Sequence, residues 1–187
     1  RKPSRPGVKK PLNFLVVVSG GKDSSMLADF SITFEENGFP QQGVNKEFAD
    51  FRNRGGHCIR LTDRAADILS VCDASFQGRI REPEFVVAYF VYDERLGRDK
   101  FDFEELIHDL DVHIVCLGNK GALGAHIGEI IWLSRLAPLS DESRLHLLES
   151  ADPARDVLES IENIVTQHAG KLNRQLIAAS LPKPAAG

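Results

Sequence analysis

The sequence contains no apolar run approaching the ~20 residues that a bilayer-spanning helix requires. Its basic lead-in is followed by only Phe14 to Val18, too short for the apolar part of a signal peptide, so no membrane association is expected. Cysteine is scarce: Cys58, Cys72 and Cys116 are odd in number and far apart, with no Cys-x-x-Cys pair and no zinc-ligand spacing. That excludes a disulfide framework and reads as buried free thiols in a reducing, cytoplasmic setting. An excess of either charge is also missing. The 23 Lys and Arg face 27 Asp and Glu, a formal net charge of −4, too mild for a protein whose whole surface grips nucleic acid.

What is present is ordinary globular composition, 42% hydrophobic and 27% charged over 187 residues. This suits one domain with a small helical appendage and is long enough to bury a core without disulfides or metal. The division expected is a flexible basic lead-in at 1–11, an α/β nucleotide-binding domain at 12–150, and a C-terminal helix at 151–180 packed on it.

Phe14-Leu15-Val16-Val17-Val18 is apolar on both faces, as in a central parallel strand. Ser24 to Asn37 reads as a helix, with Met26, Leu27, Phe30 and Phe34 on one stripe and Asn37-Gly38 as its stop. A short strand and a short helix are expected within Gly43–Arg54. Strands are expected at His57–Leu61, Phe85–Val91 and Val112–Leu117. Helices are expected at Arg64–Cys72, Phe103–Leu110, Ala122–Leu136 and Asp141–Ser150, and a last long one opening at Asp152-Pro153. This alternation predicts an α/β fold, a doubly wound, mainly parallel sheet with helices on both faces and a helical C-terminus. Ligands of such sheets bind outside the carboxyl ends of the strands at a topological switch point. Two Gly-containing turns fall there: Ser19-Gly20-Gly21 and Gly118-Asn119-Lys120-Gly121.

Ser19-Gly20-Gly21-Lys22-Asp23-Ser24 carries the chemistry. A helix N-terminus offers unpaired N–H groups and partial positive charge, which suit phosphate. Gly20 and Gly21 admit a sharp turn and close approach. Ser19, Ser24 and Ser25 offer hydroxyls, and Lys22 a mobile positive charge. Asp23 would repel phosphate unless it caps the helix or a divalent cation intervenes, which makes it the candidate Mg²⁺ ligand. The pattern is neither G-x-x-x-x-G-K-[ST] nor G-x-G-x-x-G, and a plain capped strand–turn–helix remains the alternative.

Val-Val-Val-Ser-Gly-Gly-Lys-Asp-Ser-Ser resembles the S-G-G-x-D-S signature of the PP-loop superfamily, the N-type ATP pyrophosphatases. Ser19, Gly20, Gly21, Asp23 and Ser24 match residue by residue. The resemblance implies ATP held with its pyrophosphate on the loop, and adenylation of a substrate with release of pyrophosphate. Sulfur, nitrogen or amide transfer follows, often onto RNA. Lys22 and Asp23 are then the catalytic candidates, and ATP and Mg²⁺ the cofactors. The acids that many RNA-modifying members carry after a later strand are replaced by Leu117-Gly118-Asn119-Lys120-Gly121-Ala122. A non-catalytic nucleotide- or phosphate-binding module is the alternative from another class. The partners considered are a small-molecule nucleotide, RNA, a protein, and further copies of the chain.

Weaker candidates accompany the loop. Gly118, Asn119 and Lys120 could close over a nucleotide from the last parallel strand. His126 and Glu129 have the spacing of a helical metal pair, although a structural role is favoured. His108, Asp109, Asp111 and His113 cluster before a strand. Arg79, Arg81, Arg95, Arg98 and Lys100 form a basic group diluted by acids. A second stretch, Phe101-Asp102-Phe103 to Leu117, is similar to glycinamide ribonucleotide formyltransferases, but their Asn-x-His-Pro-Ser stretch is absent.

Overall fold

A computed structural model of the chain describes residues 10–18, 25–44, 47–64, 85–93, 112–136, 144–167 and 174–182. Within them lie seven strands: β1 (Asn13–Val18), β2 (Gln41–Val44), β3 (Ala49–Arg52), β4 (Cys58–Thr62), β5 (Phe85–Val91), β6 (His113–Gly118) and β7 (Leu145–Glu149). Five helices accompany them: α1 (Ser25–Glu36), α2 (Lys120–Ala125), α3 (Ile127–Leu136), α4 (Pro153–Gln167) and α5 (Arg174–Ser180).

The strands form one sheet in the order β2-β3-β4-β1-β5-β6-β7. β4, β1, β5, β6 and β7 run parallel, and β3 and β2 complete one edge as antiparallel neighbours. The expected α/β architecture, a mainly parallel sheet with helices on both faces, is therefore present.

β1 is central because it has two apolar faces to bury. Phe14, Val16 and Val18 join the core formed with α1, α4 and α5. Leu15 and Val17 join the opposite core, beneath α2 and α3. β1 leads through α1 toward the β4 side, whereas β5 leads to β6 on the other side. The topological switch point thus lies between β1 and β5.

α1 ends as expected: Gly38 takes φ +88°, and the Phe39 amide bonds the Phe34 carbonyl at 2.9 Å, closing the last turn. α4 opens at Pro153, with the Asp152 carbonyl accepting from the Asp156 amide at 3.1 Å. Its Val157, Ile161 and Ile164 are buried.

Three expectations are corrected. The stretch Gly43–Arg54, expected to hold a strand and a helix, contributes to two strands, β2 and β3. Phe51 must alternate with Asp50 and Arg52 to reach the core beside Phe34, a period only a strand supplies. Asp141–Ser150, expected as a helix, contains β7. A short Leu-rich run is ambiguous by period, and pairing with the exposed side of β6 decides it. The helix Ala122–Leu136 is two helices, interrupted at His126. The expected helices Arg64–Cys72 and Phe103–Leu110 lie almost wholly outside the described residues.

Candidate functional site

The carboxyl edge of the sheet is defined by where β1, β4, β5 and β6 stop. Val17 is level with Thr62 and Val18 with Val91. The next residue of β4's chain is Asp63, exposed, and two residues beyond Val91 stands Asp93, half-buried. The two acids therefore follow the strands on either side of β1, where its chain departs toward α1. Asp63 is not among the candidates above, and Asp93 is one of the acids that dilute the basic group. The signal was available: Leu61-Thr62-Asp63 and Val91-Tyr92-Asp93 repeat an apolar–hydroxyl–Asp ending on the two strands flanking β1.

Ser19, Gly20, Gly21, Lys22, Asp23 and Ser24 lie outside the described residues. They join Val18, the last residue of β1, to Ser25, the first residue of α1. Ser25 is exposed.

Gly118, Asn119 and Lys120 are described, and two of the three have structural work. A Cβ on Gly118 would stand 2.8 Å from the Tyr92 carbonyl oxygen, so only glycine lets β6 end this close to β5. The ladder continues past the strands there. The Tyr92 amide donates to the Leu117 carbonyl and the Ser150 amide to the Gly118 carbonyl, each at 2.8 Å. Asn119 is the N-cap of α2: its side-chain oxygen accepts from the Ala122 amide at 2.7 Å. This satisfies one of the helix's orphan donors and commits the oxygen that could otherwise face a ligand. Lys120 is exposed at the first position of α2.

His126 and Glu129 both engage Tyr92. The Tyr92 hydroxyl donates to Glu129 Oε1 at 3.2 Å, and the Cys116 thiol lies 4.0 Å from the Tyr92 oxygen. The His126 ring packs at a tilt on Tyr92, with centroids 5.5 Å apart. Burial pushes the Cys116 thiol up to about 12. It also raises the Tyr92 hydroxyl above its ordinary value, with the charges of Cys116 and Glu129 adding to the shift. Tyr92, Cys116 and Glu129 make a hydrogen-bonded seam between sheet and helix. Among the described residues no group of three or more His, Cys, Asp or Glu is placed to hold a metal.

Of the other candidates, His113 stacks on His146 of the neighbouring strand, with centroids 6.1 Å apart. His108, Asp109 and Asp111 lie outside the described residues, as do Arg79, Arg81, Arg95, Arg98 and Lys100. No helix among the described residues is long and apolar enough to cross a membrane. A cavity of about 690 Å³ opens beside Gly38, Pro40, Arg54, Gly55 and Glu162. It lies between the end of α1, the β3–β4 turn and the late part of α4, at the amino edge and opposite the departure of β1.

A second buried polar feature supports the sheet. Arg60 and Asp50, on neighbouring strands β4 and β3, form a two-point ion pair at 2.9 and 3.1 Å. Only 1% and 4% of these side chains is exposed. Burial raises the Asp50 carboxyl above its ordinary value, opposed by the hydrogen bond and charge of Arg60. The Arg60 guanidinium stacks 3.8 Å over the Phe48 ring, which suits a weakly hydrated cation in an apolar layer.

No family model matches the sequence, and no curated protein matches it. Among solved structures, the chain is similar to the translation elongation factor SelB from Methanococcus maripaludis in its apo form. That match has a TM-score of 0.42 and 12% identity, covering 84% of this chain and 34% of the other. The chain thus spans about a third of that structure's length.

Proposed function

We propose that the protein binds ATP with Mg²⁺ outside the carboxyl ends of β1 and β5 and acts there as an adenylating enzyme of PP-loop type. One observation supports this above others: the Ser-Gly-Gly-Lys-Asp-Ser connection leaves the central strand at the switch point of the sheet. This is where open α/β sheets take ligands. Backbone N–H groups of Gly20 to Ser24 and the hydroxyls of Ser19, Ser24 and Ser25 would hold the phosphates. Lys22 would neutralise their charge, and Asp23 would hold Mg²⁺. The site's surroundings fit such a cation, since Asp63 and Asp93 follow the flanking strands and Mg²⁺ takes carboxylate oxygens together with substrate phosphates. ATP supplies an activated α-phosphate; the chain supplies fixed donors whose electrostatics favour the charge that develops. The acceptor class that the resemblance implies is RNA or another substrate receiving sulfur or nitrogen.

The test is ATP–pyrophosphate exchange by the intact chain and by Asp23→Ala, each with bulk RNA supplied as the acceptor to be adenylated. Exchange that the variant loses while keeping its fold supports the reading. Undiminished exchange in the variant removes the Mg²⁺ role. One observation favours a second reading, binding without turnover. The Asn119 side-chain oxygen, which would face the loop from β6, is already bonded in the α2 cap. A chain that binds ATP without releasing pyrophosphate is the outcome that reading predicts.

A further inference from the structure

The cavity at the amino edge of the sheet holds about 690 Å³, within the range of roughly 300–1,000 Å³ that small-molecule sites occupy. Its walls come from the end of α1, from β3 and the β3–β4 turn, and from late α4. Hydrogen bonds fix those walls in place. The Arg52 amide donates to the Pro40 carbonyl at 3.1 Å, and the Asn53 amide to the His57 carbonyl at 3.0 Å. His57 Nδ1 accepts from the Leu12 amide at 3.0 Å, which ties the turn to the start of β1. The cavity is therefore preformed.

Its charges are of both signs. Arg54 on the turn and Glu162 on α4 are exposed, and both line the cavity. Among the described residues neither has an ion-pair partner. Arg52, half-buried, adds a second guanidinium on the wall that carries Arg54. A phosphate would satisfy the arginines but bring its charge against Glu162. A simple cation would satisfy Glu162 but meet two guanidiniums. A ligand with an anionic end and a cationic end satisfies both walls, since charge-assisted hydrogen bonds form at each.

The carboxamides narrow the class further. Asn37 commits its nitrogen to the Thr33 carbonyl at 2.7 Å, and Gln42 commits its nitrogen to the Pro40 carbonyl at 3.4 Å. Each keeps an oxygen that accepts. Asn53 does the reverse: its oxygen accepts from the His57 amide at 2.9 Å, and its nitrogen is left to donate. Acceptors and a donor on one lining match the N–H and C=O groups of peptide units. A cavity of this volume is roughly 9 Å across, the span of two or three extended residues at about 3.5 Å each. We propose that this cavity binds a short peptide with free ends, its carboxylate on Arg54, its ammonium on Glu162 and its peptide groups on the three carboxamides.

The experiment is titration calorimetry of the full chain with the tripeptide Leu-Ala-Leu, its N-acetyl form, its C-terminal amide, and free leucine. The expected result is saturable binding of the tripeptide, weakened by about tenfold or more when either end is blocked or when leucine replaces it. Arg54→Gln should remove most of the difference between the free and amidated peptides. Glu162→Gln should remove most of the difference between the free and acetylated ones. Both side chains are exposed, so both variants should melt like the parent chain. Thr166→Trp, at an exposed lining position, should block binding by bulk alone. The proposal is overturned by no binding of the tripeptide, by equal affinity for free and blocked forms, or by leucine binding as tightly as the tripeptide. It is equally overturned if the end-group differences persist in Arg54→Gln and Glu162→Gln, or if Thr166→Trp binds undiminished.

Discussion

Gly118 faces the main-chain carbonyl of Tyr92 so closely that a Cβ would stand 2.8 Å from its oxygen. The partner atom is backbone, held by the Tyr92–Leu117 hydrogen bond, so it cannot swing aside as a side chain could. Gly118→Ala should therefore cost roughly 1–3 kcal/mol, the usual range for overpacking. Denaturant unfolding of the two chains, with equal slopes and a lower midpoint for the variant, is the measurement.

Asn119 gives a smaller, separable effect. Its oxygen caps α2 through the Ala122 amide, so Asn119→Ala should lose about 1 kcal/mol, while Asn119→Asp or Asn119→Ser should keep most of the stability. Thermal melts of the three variants decide it. If the carboxamide contacts nucleotide instead, the serine variant loses affinity without losing stability.

The two effects show what could be read before the fold was known. Phe14 to Val18 declared a central strand because five successive apolar residues can be buried only between two layers. Phe85 to Val91 declared a strand by the same apolar run. Gly118 and Asn119 were noticed, but as ligand groups. Their packing and capping roles depend on Tyr92 and Ala122 being adjacent, which only the β5–β6 register determines. β7 was misread because Leu145 to Leu148 has no decisive period, and its pairing with β6 is a long-range choice. Asp63 and Asp93 share only the short apolar–hydroxyl–Asp ending; residues 64–92 separate them in sequence, and only the placing of β4 and β5 on either side of β1 brings them to one edge.

The Asp50–Arg60 pair supplies a test of the buried edge. Removing Asp50 leaves the guanidinium buried without its carboxylate, and Asp50→Ala should cost about 3–5 kcal/mol. Replacing both residues by apolar ones of similar volume, Asp50→Leu with Arg60→Met, should recover most of that loss, because no charge then remains to be desolvated. Equilibrium unfolding of the single and double variants distinguishes the outcomes; a double variant as unstable as Asp50→Ala would contradict the electrostatic explanation.

The described thiols carry a pH dependence with a definite sign. Burial pushes Cys58 from 9.0 up to about 11 and Cys116 from 9.0 up to about 12. The folded chain holds these protons more tightly than the unfolded one. Their contribution is thus fully present below pH 9 and is lost as pH rises through 9 toward 11 and 12, by up to about 1.4 kcal/mol per pH unit for each group. In a Cys72→Ser background, neither thiol should react with a disulfide reagent at pH 8 until the protein is unfolded. Prompt reaction of the native chain would show that these sulfurs are not sealed in the core.

In the proposed function the connection from Ser19 to Ser24 holds the phosphates of ATP with Mg²⁺. Titration calorimetry of the intact chain with ATP, with and without Mg²⁺, tests it most directly, with Asp23→Ala as the companion. The predicted result is one site per chain whose affinity depends on Mg²⁺, and a variant that keeps its fold but loses that dependence. At 100 times the dissociation constant, ATP should also stabilise the chain by about 2.7 kcal/mol. No binding heat and no rise in melting temperature at millimolar ATP with Mg²⁺ would contradict the account.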